Sequence, residues 1–417
     1  MATPAYSVDT DDLGARAETM IMALGAISAE PTRLVRRFLT PEHRRAADLV
    51  ARWMRDGGLA VSEDALGTVR GHLKGSGPRR LLIGSHIDTV ADAGKYDGPL
   101  GVIAGILAAA HFAKPGKSLP FGVDVLAFGD EEGSRFPATL ASSAACAGVF
   151  DPARLAQGDV DGTTLAQALA VYGKDPRQIP AGAYPRGDAA AYVEVHIEQG
   201  PVLEARQRAL GVVTAIVGQT YLAVDLHGEA GHAGTVPMNL RRDALAGAAE
   251  IVRLAEELAR DQREVVATVG QLSVEPNATN VIASRVMLTL DLRSTLDESR
   301  RQVAERFRSE VRAIADRRQL GLTITQTRDI NTTPCDPRLQ DLLAAAVTRI
   351  AGGGEALRLG SGAGHDGQAM ARLCPVAMLF VRCRGGVSHN PLEYASPRDM
   401  GLAVATLIEF IANFVPK

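Results

Sequence analysis

The chain has 417 residues, too many for one compact core, so two domains are expected. Apolar residues make up 46% and charged ones 22%, and a net charge of −3 gives no reason to expect nucleic acid or an anionic membrane as partner. No apolar run approaches the roughly 18–20 residues of a spanning helix. The opening MATPAYSVDTDDLGAR carries acids where a secretory signal is basic and then apolar, so a cytoplasmic location is expected. Cys146, Cys335, Cys374 and Cys383 form no CxxC pair and suit reduced core thiols.

In chain order, residues 8–27 and 41–57 predict amphipathic helices, and short strands follow near 59–64 and 67–74. The stretch LLIGSHIDTVADAGKYDGPLGV (81–102) organises what comes next. Leu81, Leu82 and Ile83 read as a buried strand, which in an open α/β sheet delivers polar residues to its C-terminal edge. His86, Asp88 and Asp97 arrive there. His86-Ile87-Asp88 alternates, so both polar side chains leave one side of an extended segment. One can bind a metal while the other fixes the imidazole tautomer. Asp97-Gly98-Pro99 opens a helical pattern, and GVIAGILAAAHF (101–112) is apolar nearly all round, hence buried. A strand over 121–130 leads to Glu131 and Glu132. Small residues at 138–148 and a helix near 163–173 precede a strand over 189–200 that ends in His196, Glu198 and Gln199.

The character changes near Gly211. Residues 211–228 predict a pair of antiparallel strands, 241–260 a long helix, 267–284 a strand plus loop, 286–294 an alternating strand and 297–319 a charged helix. This β-β-α-β-β-α succession predicts a compact α+β unit inserted in the first domain. From about 330 the earlier style returns, with a helix at 337–350, a strand at 375–381 and a last helix at 398–415. The expected fold class is α/β, a mixed-sheet domain (1–212 and 330–417) interrupted by a smaller α+β domain (213–329).

Together the strand ends and a late loop offer His86, Asp88, Asp97, Glu131, Glu132, His196 and His389. Imidazoles plus carboxylates suit zinc, manganese or cobalt better than magnesium or calcium alone. An aspartate shared by two cations makes a hydrolytic site that clamps a water and polarises a carbonyl. Adjacent glutamates read alone as a solvated turn, but after a buried strand they can divide roles between metal ligand and general base.

The segments GSHIDTV, YDGPLGV, DEEGSRFP, VEVHIEQGPVLE, GHAGTVPM and GGVSHNP resemble the hydantoinase/carbamoylase amidases of the metal-dependent aminoacylase and carboxypeptidase-like superfamily, in family order from about residue 20 to the end. The resemblance implies two divalent metal ions per subunit (Zn or Mn, with Co possible) and an inserted domain serving as lid and dimerisation surface. It implies that His86 and His389 bind one metal each, that Asp97 bridges, and that Glu132 and His196 complete the pair. Glu131 would be the general base, with Asp88 behind His86. His232 and Asn280 would act across a homodimer interface, His232 as oxyanion donor. Asn280 and Arg293 would bind the substrate's polar end, Arg293 through its fork. Gln199 and Gln219 would line the pocket, and the Gly362-Ala363 backbone would donate to a carboxylate. His365 and Asp366 fall in the pocket or behind the ligands, and the sequence does not choose.

Members of this family act on a terminal ureido group and differ in the acid attached. IVGQ (216–219) and EPTRLVRRFLTPEHRRAADLVARWM (30–54) resemble allantoate amidohydrolases. Gln219 offers an amide to a second ureido arm, an amide that an apolar carbamoyl amino acid leaves unpaired. Allantoate is therefore the favoured small ureido-acid substrate, with N-carbamoyl-L-amino acids or β-ureido acids as alternatives. An exopeptidase or aminoacylase of the superfamily, or a scaffold on a dead hydrolase fold, are further readings, though no expected ligand or base is missing.

Overall fold

The structure is a computed structural model that describes residues 8–137, 139–262, 264–352 and 354–416. The opening seven residues and Ala138, both used above, lie outside the described set. The chain divides into two compact units, Met1–Thr214 with Cys335–Lys417, and Ala215–Pro334.

The larger unit opens with α1 (Thr10–Gly25), α2 (Pro41–Asp56), β1 (Ala60–Glu63), β2 (Val69–Leu73), β3 (Arg80–His86), α3 (Pro99–Phe112) and β4 (Gly122–Phe128). It continues with α4 (Ala141–Cys146), α5 (Leu165–Val171), β5 (Ala189–Ile197), α6 (Val202–Ala205) and β6 (Leu210–Ile216). Side-chain caps start several of these helices: Asp9 accepts two N–H groups of α1, and Thr40 with Pro41 opens α2.

The smaller unit holds β7 (Gly218–His227), α7 (Ala244–Arg260), β8 (Val265–Glu275), β9 (Arg285–Ser294), α8 (Asp297–Arg317), β10 (Gly321–Ile330) and β11 (Thr333–Pro334). Its sheet, in the order β10-β7-β9-β8, is antiparallel throughout. Leu222, Val224 and Leu226 of β7 pack with Ile251 of α7 and Phe307 of α8, the alternation of a sheet covered on one face. The chain then returns through α9 (Pro337–Ala351), β12 (Leu357–Ser361), α10 (Gly367–Met370), β13 (Val376–Val381) and α11 (Pro397–Asn413).

In the larger unit β4, β3, β5 and β13 run parallel, flanked by antiparallel β2 on one side and β6 on the other. Leu81 and Ile83 enter one core with α3 and α11, whereas Leu82 enters a second core with Phe128 and Tyr192. A strand covered on both faces has no polar side, which is why it reads as an unbroken apolar run. The parallel strands all end at one edge, and β3, β4, β5 and β13 bring His86, Glu131, His196 and the His389 loop there.

The α/β class with a separate antiparallel domain is as expected, but the order of elements inside the insert is not β-β-α-β-β-α. The expected pair of strands over 211–228 is not a hairpin: β6 pairs with β13, and β7 pairs with β9 and β10. The strand β10 was not anticipated. The elements of the unit's own sheet and its helices therefore run β-α-β-β-α-β, with β11 pairing outside that sheet with β6, because Val217-Gly218 is a crossing point between sheets and not a turn within one. Among the described residues no helix is long and apolar enough to cross a membrane, and all four cysteines are buried and free.

Candidate metal centre

His86 is the last residue of β3, and its ring is wholly buried. Its Nδ1 lies 3.4 Å from Asp88 Oδ1 and its Nε2 3.4 Å from Asp97 Oδ1. His196, near the end of β5, directs Nε2 to the same Asp97 oxygen at 3.2 Å, while its Nδ1 is 2.9 Å from the Ile197 carbonyl. The other Asp97 oxygen, Oδ2, is 3.4 Å from His389 Nε2, which is itself 3.3 Å from Glu132 Oε2. Asp97 thus divides its two oxygens between two donor sets, His86 with His196 and Glu132 with His389.

The donors fit divalent cations. Tetrahedral ligands at about 2.0–2.1 Å from a metal stand about 3.3 Å apart, the spacing found here. His86 Nε2 and His196 Nε2 are buried and have no hydrogen-bond partner, an arrangement that is costly unless a cation takes those lone pairs. Each Nδ1 faces an oxygen, so each Nε2 can be the bare nitrogen.

The electrostatics follow from burial and crowding. Burial alone would raise the Asp97 carboxyl, yet His196, His389 and His86 around it hold it well below the usual carboxylate range. Burial would lower His86, but the neighbouring carboxylates of Asp88 and Asp97 raise it well above its ordinary value. The hydrogen bond to Asp97 lifts His389 to about 9. Burial pushes Glu131 well above its ordinary value against the pull of His86, with Glu132 adding to the rise. Glu132 reaches about 7 through burial and the neighbouring Asp97.

Asp88 does more than orient His86. Its two oxygens accept the backbone N–H groups of Glu131 (3.2 Å) and Glu132 (3.3 Å), fixing the glutamate pair to the imidazole. Glu131 belongs to neither donor set but stands 3.9 Å from His86 Nε2. Gln199, in a left-handed conformation, donates from Nε2 to Asp97 Oδ2 at 2.6 Å. Glu198, in contrast, spends its carboxylate on the N–H groups of Val202 and Leu203 at the start of α6.

The residues left undecided by sequence are both buried, and His365 also groups with Glu194 and His196 in a third set of possible cation donors. His365 is buried, its ring edge-on to His196 with centroids 4.5 Å apart and Nε2 2.8 Å from Ser361 Oγ. Asp366 is also buried. The Ala363 N–H donates to Ser361 Oγ at 3.2 Å. Sequence reading missed Arg36, whose buried guanidinium donates to the Ile87, Leu24 and Ile27 carbonyls and so fixes the segment between His86 and Asp88. It also missed Glu194, which accepts from Ser85, Tyr192 and the Gly367 N–H. Neither carries a sequence signal beyond lying in a quoted segment.

Four expected residues lie in the smaller unit. Gln219 and Arg293 are opposite each other on β7 and β9, so their side chains share a face. Arg293 makes a forked pair with Asp291 and donates to the Tyr221 hydroxyl at 3.2 Å. His232 and Asn280 are exposed on neighbouring segments, the Ala233 N–H donating to the Asn280 carbonyl. His232 Nδ1 accepts the Gly234 N–H at 3.1 Å, which leaves the ring proton of the neutral imidazole on Nε2.

Gly98 is the cradle of this centre. Its φ is +82°, and a Cβ there would overlap the His86 ring. Gly98→Ala is expected to lower folding stability by about 1–3 kcal/mol and to weaken cation binding at least tenfold. Thermal melts and chelator competition check it, and wild-type affinity in the variant would show the close approach to be idle.

The sequence signature of peptidase family M20/M25/M40 matches residues 82–413. The chain is 40% identical to an allantoate deiminase of Arabidopsis thaliana, over 94% of this chain and 80% of that protein. It is also 40% identical to an N-carbamoyl-L-amino acid amidohydrolase of Geobacillus stearothermophilus, over 94% of this chain and 97% of that one. Its fold matches a hydantoinase/carbamoylase family amidase from Burkholderia multivorans with TM-score 0.90 and 33% identity, over 98% of each chain.

Proposed function

We propose that this chain, which belongs to peptidase family M20/M25/M40 and is a hydrolase acting on C–N bonds, uses two divalent cations to cleave the terminal ureido group of allantoate. The observation that carries the reading is the division of Asp97's oxygens between two donor sets. His86, Asp97 and His196 would hold one cation and Asp97, Glu132 and His389 the other, zinc, manganese or cobalt suiting the mixed nitrogen and oxygen donors. When bound, such a pair polarises a carbonyl and makes water acidic enough to attack near neutral pH.

Glu131 takes the proton of the water that attacks the ureido carbon, and returns it to the ammonia that departs. The C–N bond to that ammonia breaks, and the carbamate left behind sheds carbon dioxide to give the free amine. Arg293 is assigned to the substrate carboxylate, with Gln199 and the Gly362-Ala363 backbone lining the pocket. His232 and Asn280 are assigned to a second copy of the chain in a homodimer, where Nε2–H of His232 would donate to the oxyanion. Gln219, on the face it shares with Arg293, is what favours allantoate, whose second ureido arm an amide can pair.

The likeness to the Geobacillus protein favours N-carbamoyl-L-amino acids as a second reading. Ammonia release from allantoate, N-carbamoyl-L-amino acids and β-ureido acids by the cation-loaded protein decides between them. A kcat/KM for allantoate at least about tenfold above the others is expected, falling towards parity in Gln219→Leu. Faster turnover of a carbamoyl amino acid overturns the substrate, and release of amino acids from dipeptides without ammonia overturns the reaction.

A further inference from the structure

Glu393 takes no part in either donor set, yet it is 5% exposed and every oxygen of its carboxylate is engaged. Its Oε1 accepts the backbone N–H groups of both Tyr96 (2.8 Å) and Asp97 (3.1 Å). Its Oε2 is 3.0 Å from Ser388 Oγ, and that same hydroxyl lies 2.6 Å from Asp97 Oδ2. Its own N–H donates to the Asn390 carbonyl, closing a tight loop in which His389 has a φ of +53°. A Cβ on Gly94 would overlap the Glu393 carboxyl group, so the loop before Asp97 is shaped around this side chain.

We infer that Glu393 is a positioning residue for the second cation, tying the main chain of Asp97 to the loop that carries His389. Asp97 and His389 are 292 positions apart and sit on separate loops, so nothing local sets their relative placement. One carboxylate bonded to both loops does, and Ser388 extends the tie to the Asp97 oxygen that faces His389. The set formed by Asp97, Glu132 and His389 therefore depends on Glu393 more than the set formed by His86 and His196, which β3 and β5 already hold in register with their neighbours. The inference rests on the two-cation reading above.

Cobalt(II) or zinc titration with chelator competition tests it, on wild type, Glu393→Ala, Glu393→Gln and Gly94→Ala. Wild type is expected to take up two cations per chain. Glu393→Ala is expected to keep the first within about threefold and to bind the second about 10–100-fold more weakly, with a changed cobalt absorption spectrum. Glu393→Gln should recover most of that loss, since its Oε1 still accepts both N–H groups and its amide can donate to Ser388. Gly94→Ala displaces an intact Glu393 and should resemble Glu393→Ala, and it decides the matter together with Ser388→Ala if the first variant does not fold. Unchanged second-cation affinity in these variants overturns the inference, as does equal weakening of both sites or failure of the glutamine to rescue. A wild-type chain that takes up one cation or none overturns the two-cation reading itself, and the inference with it.

Discussion

Glu131→Gln is expected to lower kcat by about 10²–10⁴-fold with bound cation at the wild-type level. The base role proposed for this side chain rests on where it lies. It lies outside both donor sets, comes three residues after the end of β4, and is held by the Asp88 bond to its own N–H. Burial and the adjacent Glu132 both raise its carboxyl, so it holds a proton more readily than an exposed glutamate does, which is what a group that receives and returns a proton needs. Glutamine keeps the shape and loses that capacity. Glu132→Gln provides the contrast: its oxygen is 3.3 Å from His389 Nε2, so there the second cation should be lost along with activity. Metal analysis beside single-turnover ammonia release separates the two. Activity of Glu131→Gln within tenfold of wild type would reassign the base.

What was legible in the sequence and what was not have a common physical cause. His86, Glu131, Glu132 and His196 could be read as candidates because each lies at or just after the end of a segment whose apolar residues betray a strand covered on both faces, and such strands put their ends at one edge, whereas Asp97 was marked by the helix opening at Gly98-Pro99. β10 was missed because it is an outer strand of its sheet with one face in water, where Leu322 and Ile324 give only a short alternation between polar residues. The partners of β6 and β7 could not be read, since a strand's sequence states which face is buried but not which strand lies beside it. Arg36 and Glu393 were invisible for a related reason. Both act on main-chain groups far away in the chain, Arg36 on the Ile87 carbonyl and Glu393 on the Asp97 N–H, and a main-chain partner leaves no mark on the sequence.

Asp97→Asn is expected to abolish uptake of both cations and to cut kcat/KM by more than about 10⁴-fold, because the attacking water would lose the acidity that bound cations would give it. No other side chain serves both donor sets, so no single neighbour can replace it. The same substitution should also show in the chelated protein, where Asp97 is the anion among three imidazoles. Its carboxyl is held below the ordinary range, which contributes stability above the unfolded value near 3.8 that is lost as pH falls through the lowered one. The imidazoles are raised, which contributes stability below about pH 6.5 that is lost as pH rises through the raised values, about 9 for His389. Both contributions are present together between about pH 4 and 6.5. In urea melts of chelated protein the wild type should therefore exceed Asp97→Asn by about 3–5 kcal/mol there, the cost of stripping a buried charge of its partner. The gap should close on either side, gradually towards pH 9 and again in acid. A gap that stays flat across that range would mean that Asp97 holds the imidazoles by shape and not by charge, and the case for a shared anion between two cations would lose its electrostatic half.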